Sequence, residues 1–272
     1  MKGHFLARTK LYRRLRPVNL VKIAILAGNR EAVSTPAAPL QAMVEVGGRP
    51  LLWHLMMHFA HGGLNDFVIG LGKEGSQIKR YLLDLCNLGS DLRIHLKNGR
   101  VERRDGRQPD RTVDLLEAGS GPLLSLLPHL GRGTFMLCRA DALSDLDPAV
   151  VLDFHRSHGR LGTIVAVQPE ARFGRLDLVG DEVVDFTEKP RAGEGWTSSS
   201  FFVLEPDIFD FVDADDTEWE LSLVERLADA GELMAYKHES FWRSVEALRD
   251  KQMLESLWQS SAAPWKNWRE MG

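Results

Sequence analysis

Four places in this chain carry residue types suited to phosphate chemistry. Val21 to Leu26 is a short apolar run ending in Ala27-Gly28, as a buried strand entering a loop reads, and Arg30 follows closely. Asp141 closes the run TFMLCRAD. Glu188-Lys189-Pro190 follows the strand-like Val183–Thr187, and a lysine is a suitable point charge for phosphate. Glu246 stands just after the pair Phe241-Trp242. Transfer of a phosphorylated group needs backbone amides and a cation to neutralise phosphate oxygens, and carboxylates to hold a bridging divalent ion. Each residue also has a structural reading. Asp141 can cap a strand-to-loop turn, Glu246 can favour a helix N-terminus, Glu-Lys-Pro can be a plain turn, and Arg30 can be a solvated loop residue.

The elements that must position them follow from the pattern. Phe67–Leu71, Arg93–Leu96 and Thr134–Leu137 read as strands, and Leu51–Ala60, Gln77–Leu88 and Pro122–Leu130 as helices. Arg49-Pro50 starts the first of these helices and Gly62-Gly63 closes it. Asp147-Pro148 is an N-cap followed by proline, opening a helix that ends at Gly159. This alternation predicts a mostly parallel sheet with helices on both faces. Open sheets of that kind place ligands beyond the carboxyl ends of their strands. The second half is richer in strands: Leu161–Val167, Arg175–Val179, Val183–Thr187, Ser200–Leu204 and Met234–His238. Ser244–Gln259 reads as a terminal helix, with Leu248, Met253, Leu254 and Leu257 as its apolar face.

Composition narrows the classes. A chain of 272 residues with 44% hydrophobic content can bury a full core. The net charge of −4 gives a nucleic-acid partner no electrostatic support. No apolar run reaches the roughly 20 residues of a membrane span. Cys86 and Cys138 sit in apolar settings and read as buried thiols, pointing to a reducing, cytoplasmic setting. Residues 1–20 form a basic extension without the apolar stretch of a secretory signal, most simply a solvated arm. The expected organisation is this extension, a main domain over 21–243, and a C-terminal helix and arm over 244–272 packed on that domain.

The order of motifs resembles the sugar-1-phosphate nucleotidylyltransferases, and among them the glucose-1-phosphate cytidylyltransferase group. The resemblance runs through MVEVGGRPLLWHLM (43–56), the strand ending at Asp141, DFHRSHG (153–159) and RFGRLDL (172–178). It continues through VVDFTEKP (183–190), FFVLEP (201–206), GELMAYKHESFW (231–242), LRDK and APWKNW. It implies an α/β fold for the main domain over 21–243: a nucleotidyltransferase-like Rossmann variant with a mostly parallel mixed sheet, flanking helices and an added strand-rich sugar-binding region. It also implies formation of a nucleotide sugar and pyrophosphate from a nucleoside triphosphate and a sugar 1-phosphate. Mg²⁺ would lie on Asp141 and Glu246, Gly28 and Gly119 would face the nucleotide, and Glu188-Lys189 would grip the sugar-linked phosphate. Arg30 would be a displaced form of the family arginine. The family's tendency to oligomerise makes APWKNW an arm that could lie across a neighbour.

The chain departs from the family on the triphosphate side. Where the family has a glycine-rich loop with Thr-Arg and then lysines, this chain has Asn29-Arg30-Glu31-Ala32-Val33, and Gln41 stands among the expected basic residues. Gly119-Ser120-Gly121-Pro122 replaces an arginine-bearing contact, Ser198-Ser199-Ser200 an Asn-Gly-Gly, and Ser222-Leu223-Val224 a Glu-Pro-Leu. Asp141 is flanked by Ala140 and Ala142 instead of glycines, and the glutamate at 246 is one methylene longer than the family's aspartate. Two readings follow: a divergent transferase, or a non-catalytic homologue that binds a sugar phosphate or nucleotide sugar, or partners an active relative. The loop favours the second. A third, a transferase with another donor or sugar, would need cations from elsewhere, such as the basic extension.

Overall fold

The computed structural model describes residues 21–28, 40–72, 75–88, 91–104, 111–117, 122–168, 175–179, 182–187, 196–213 and 219–268. The first half runs β1 (Lys22–Leu26), the short pair β2 (Glu45–Val46) and β3 (Arg49–Pro50), α1 (Leu51–His61), β4 (Asp66–Leu71) and α2 (Gly75–Leu88). Then come β5 (Asp91–His95), β6 (Arg100–Arg104), β7 (Thr112–Glu117), α3 (Pro122–Leu130), β8 (Phe135–Arg139), β9 (Ala142–Ser144) and α4 (Pro148–His158). The second half adds β10 (Gly162–Val167), β11 (Arg175–Val179), β12 (Glu182–Thr187), β13 (Thr197–Leu204) and α5 (Trp219–Asp229). It closes with β14 (Leu233–His238), β15 (Trp242–Ser244) and α6 (Leu248–Gln259).

Seven strands form one sheet in the order β14-β10-β13-β8-β1-β4-β7. Strand β1 is parallel to both β4 and β8, β4 to β7, and β10 to β14, while β13 runs antiparallel to β8 and β10. The sheet is therefore mixed and mostly parallel, as the alternation of strands and helices predicts. Both faces are covered. Ile23, Ile25, Phe67, Ile69, Met136 and Cys138 face a core shared with α1, α4 and the C-terminal segment. Ala24, Leu26, Val68, Phe135, Leu137 and Phe202 face a second core with α3 and α5. Burial on both sides is why these strands read as continuous apolar runs.

Helix α4 begins and ends as its sequence dictates. Asp147 accepts a hydrogen bond from the Ala149 amide at 2.9 Å, and Gly159 stops the helix at φ +66°. Other expectations shift. Arg93–Leu96 is half of an isolated β5–β6 hairpin, and the sheet's edge there is β7, which the sequence pattern did not mark. Of the strand-rich second half, β10, β13 and β14 complete the main sheet and β11–β12 form a separate hairpin. The terminal helix starts at Leu248, because Trp242–Ser244 pairs with Ser144–Ala142 as a strand. Cys86 is exposed, since the inward stripe of α2 passes through Gly75, Ile78, Leu82 and Leu85 and leaves residue 86 beside it. Among the described residues no helix is long and apolar enough to cross a membrane.

Candidate active site

Three parallel strands deliver their carboxyl ends to one edge of the sheet. Beyond its paired residues β1 continues into Ala27, whose amide donates to Gly70 O at 2.9 Å, while the Ala140 amide donates to Leu26 O at 3.0 Å. These bonds carry the ladder past the strand ends and bring Gly28, Gly72 and Asp141 side by side. Gly28 and Gly72 are so close that a Cβ on Gly72 would lie 2.8 Å from the Gly28 Cα. Ala140 is buried in the core below α1, and Ala142 is buried as well.

Asp141 then meets the C-terminal part of the chain. Its carbonyl accepts from the Val245 amide at 2.8 Å, extending the β9–β15 pairing by one more bond. The Val245 carbonyl accepts in turn from Gln41 Nε2 at 3.1 Å. Glu246, the next residue, is exposed and takes a hydrogen bond on Oε1 from Ser244 Oγ at 3.0 Å. Its backbone is pinned by Asp250, whose Oδ2 accepts from the amides of Glu246 and Ala247 at 3.1 and 3.0 Å. Asp250, buried in the first turn of α6, thus does the capping that a helix starting at Ser244 would have given to Glu246. The structure therefore gathers Asp141, Glu246 and Gln41 around Val245.

Arg139, the last residue of β8, completes the corner. Its Nε donates to Asp141 Oδ2 at 3.3 Å and its Nη2 to Gly28 O at 3.2 Å. The pair is mostly shielded, with the arginine side chain 12% and the aspartate 16% exposed. A guanidinium thus ties the metal-candidate carboxylate to the start of the β1 loop. Sequence reasoning passed over Arg139, Gly72 and Asp250. A cation interrupting an otherwise apolar strand end, two residues before an aspartate, was the available signal for the first.

Next to this corner, the Cys138 thiol is fully buried. Burial pushes it far above the usual thiol range and the Asp141 charge adds to the effect, so it stays an inert, protonated thiol. The donor set of Asp141 and Glu246 fits Mg²⁺ in type. Such an ion is held by one or two carboxylates plus substrate phosphates, not by an all-protein cage. Among the described residues no group of three or more His, Cys, Asp or Glu side chains makes such a cage. Arg30, Gly119, Glu188 and Lys189 lie outside the described residues, as does the basic extension 1–20.

The C-terminal segment folds onto its own chain. Trp265 and Trp268 are 1% and 6% exposed, and Trp265 Nε1 donates to His54 Nδ1 on α1 at 3.4 Å.

Known proteins similar to this chain identify its family. A family model described as nucleotidyl transferase matches residues 37–261. A glucose-1-phosphate cytidylyltransferase from Salmonella typhi is 37% identical over 91% of this chain and 100% of that protein. A probable glucose-1-phosphate cytidylyltransferase from Bacillus subtilis is 28% identical over 89% of this chain and 96% of its own length. The solved structure of HddC from Yersinia pseudotuberculosis superposes with a TM-score of 0.63 at 18% identity, over 88% of this chain and 99% of that one. That last likeness speaks for the fold alone.

Proposed function

Because the chain belongs to the nucleotidyl transferase family, we propose that it transfers a nucleotidyl group from a nucleoside triphosphate to a sugar 1-phosphate, as a cytidylyltransferase-like enzyme. The sugar phosphate oxygen attacks the α-phosphorus and pyrophosphate leaves. One observation carries this reading. Asp141 at the carboxyl end of β8 is joined through the Val245 amide to the strand that presents Glu246, beside the glycine that opens the β1 loop. That is where an open α/β sheet binds its ligand. Asp141 and Glu246 would hold Mg²⁺, which when bound supplies charge neutralisation to the phosphates.

The chain's own residues set the rest. Gln41, held on the Val245 carbonyl, replaces a cation by an amide. Gly28 lets the loop backbone start close to Gly72. Glu188 and Lys189 supply the sugar-phosphate contact in this reading. The reducing, cytoplasmic setting proposed for such an enzyme is in keeping with Cys86 and Cys138 both being free thiols.

A second reading, binding of a sugar phosphate or nucleotide sugar without turnover, is favoured by the guanidinium on Asp141. The two are separated by a pyrophosphate-release assay over a panel of nucleoside triphosphates and sugar 1-phosphates with Mg²⁺. Turnover is expected, and Asp141→Asn is expected to reduce it at least a hundredfold, the scale of losing one charge-stabilising group. No turnover, combined with thermal stabilisation by a sugar phosphate and none by CTP, would leave only the binding reading.

A further inference from the structure

Arg139 takes an unusual place for a charged residue. It is the final residue of β8, a central strand of the sheet, directly after buried Cys138, and it spans from Asp141 to the carbonyl of Gly28. Those two partners lie at the carboxyl ends of two neighbouring parallel strands, β8 and β1. We propose that Arg139 is a resident cation of the phosphate side, one that positions Asp141 against Gly28 at the end of β1 and competes there with a divalent metal ion. The inference rests on the reading above that Asp141 is the phosphate-side carboxylate.

A guanidinium is permanently charged and its planar fork fixes the directions of its donors, so it orients a carboxylate more firmly than an ammonium would. A dication on Asp141 would share that carboxylate with this fixed positive charge. Because both partners are mostly buried, solvent and salt screen the repulsion only weakly. The sequence also departs from a cation-rich loop: no lysine occurs between Lys22 and Lys73. A cation seated at the strand end restores one positive charge to the phosphate side from a different element.

The test is a titration of Mn²⁺ into the purified full chain, following the electron paramagnetic resonance signal of the free ion. Wild type should bind Mn²⁺ weakly, and Arg139→Gln should tighten binding at least tenfold. Arg139→Lys, which keeps the charge, should stay near wild type, and adding Asp141→Asn to Arg139→Gln should remove the gain. Equal affinity in wild type and Arg139→Gln overturns the inference, as does a gain that survives Asp141→Asn or no binding by either protein. Should Arg139→Gln fail to fold, Arg139→Met keeps the aliphatic stem without the charge and gives the same comparison. The readout needs no nucleotide, so absence of pyrophosphate release would leave this result standing, and the converse also holds.

Discussion

Gly28 and Gly72 stand back to back where β1 and β4 run out, and the spacing between them decides what either position tolerates. A Cβ on Gly72 would fall 2.8 Å from the Gly28 Cα, whereas one on Gly28 would lie 3.3 Å from the Gly72 Cα. Both obstacles are backbone, which cannot rotate away. Gly72→Ala should therefore destabilise the protein by about 1–3 kcal/mol, the range for overpacking a tight site, and Gly28→Ala by less. Urea unfolding of the two variants checks the ranking, and equal midpoints would show that the loops part freely. The glycine kept at the opening of the β1 loop thus has a packing reason to be there, beside any contact with phosphate. The strand ends that carry Gly28 and Asp141 were legible in the sequence because β1 and β8 are buried apolar runs. Arg139 was not, because its meaning lies in Gly28, 111 residues away. The same holds for Gln41, whose partner Val245 is 204 residues distant.

At the scale of elements, α6 is anchored by the tight turn between β2 and β3. The Gly47 amide donates to Glu255 Oε2 at 2.8 Å, and a Cβ there would lie 2.0 Å from the indole Nε1 of Trp258. Its neighbour Gly48 has a similar left-handed backbone, φ +70° against +59°, but open space around it. An alanine at 48 meets only the left-handed penalty of about 1–2 kcal/mol. At 47 the collision with Trp258 is added, and the total should reach about 3 kcal/mol or more. Thermal melts of Gly47→Ala and Gly48→Ala test this directly, and equal losses would mean that α6 simply swings aside. Since α6 carries Asp250, which pins the backbone of Glu246, the same substitution should disturb the carboxylate corner. Elements were readable in proportion to their local pattern. Doubly buried β1, β4 and β8, and α4 with its Asp147 cap and Gly159 stop, fell close to expectation. Short β9 and β15 could not be read, because a three-residue strand exists only through its partner. The half-buried edge strand β7, TVDLLE, carries too little apolar continuity to stand out.

The whole molecule is closed by its C-terminal segment, and that closure should make it sensitive to acid. His54 on α1 is fully buried, with Nε2 at 2.8 Å from the Val46 carbonyl and Nδ1 at 3.4 Å from Trp265 Nε1. A carbonyl only accepts and an indole N–H only donates, so the ring is the neutral tautomer with its proton on Nε2. Burial pushes its pKa down from 6.5 to about 4, against the smaller opposing effect of the Val46 and Arg49 backbone. His58, four residues on and 2.6 Å from the Leu146 carbonyl, is shifted in the same direction by burial. A base whose folded pKa is lowered binds more protons when unfolded. Its contribution to stability is complete above pH 6.5 and drains away as pH falls toward 4. For His54 alone, linkage gives a loss of about 2 kcal/mol between pH 7 and pH 5. Denaturant unfolding at those two pH values should show at least that difference, and His54→Gln, which can still donate to Val46, should shrink it. A stability independent of pH over this range would mean that the unfolded histidines gain nothing by protonating. Tryptophan fluorescence gives a second readout, because Trp258, Trp265 and Trp268 all pack on the His54 ring. If the closure yields first, that signal should change at a higher pH than the far-ultraviolet circular dichroism of the sheet. The order matters for function, since Asp250 of α6 pins the backbone of Glu246, next to the Val245 amide that bonds the Asp141 carbonyl. Loss of the carboxylate corner is then expected to precede loss of the fold on acidification.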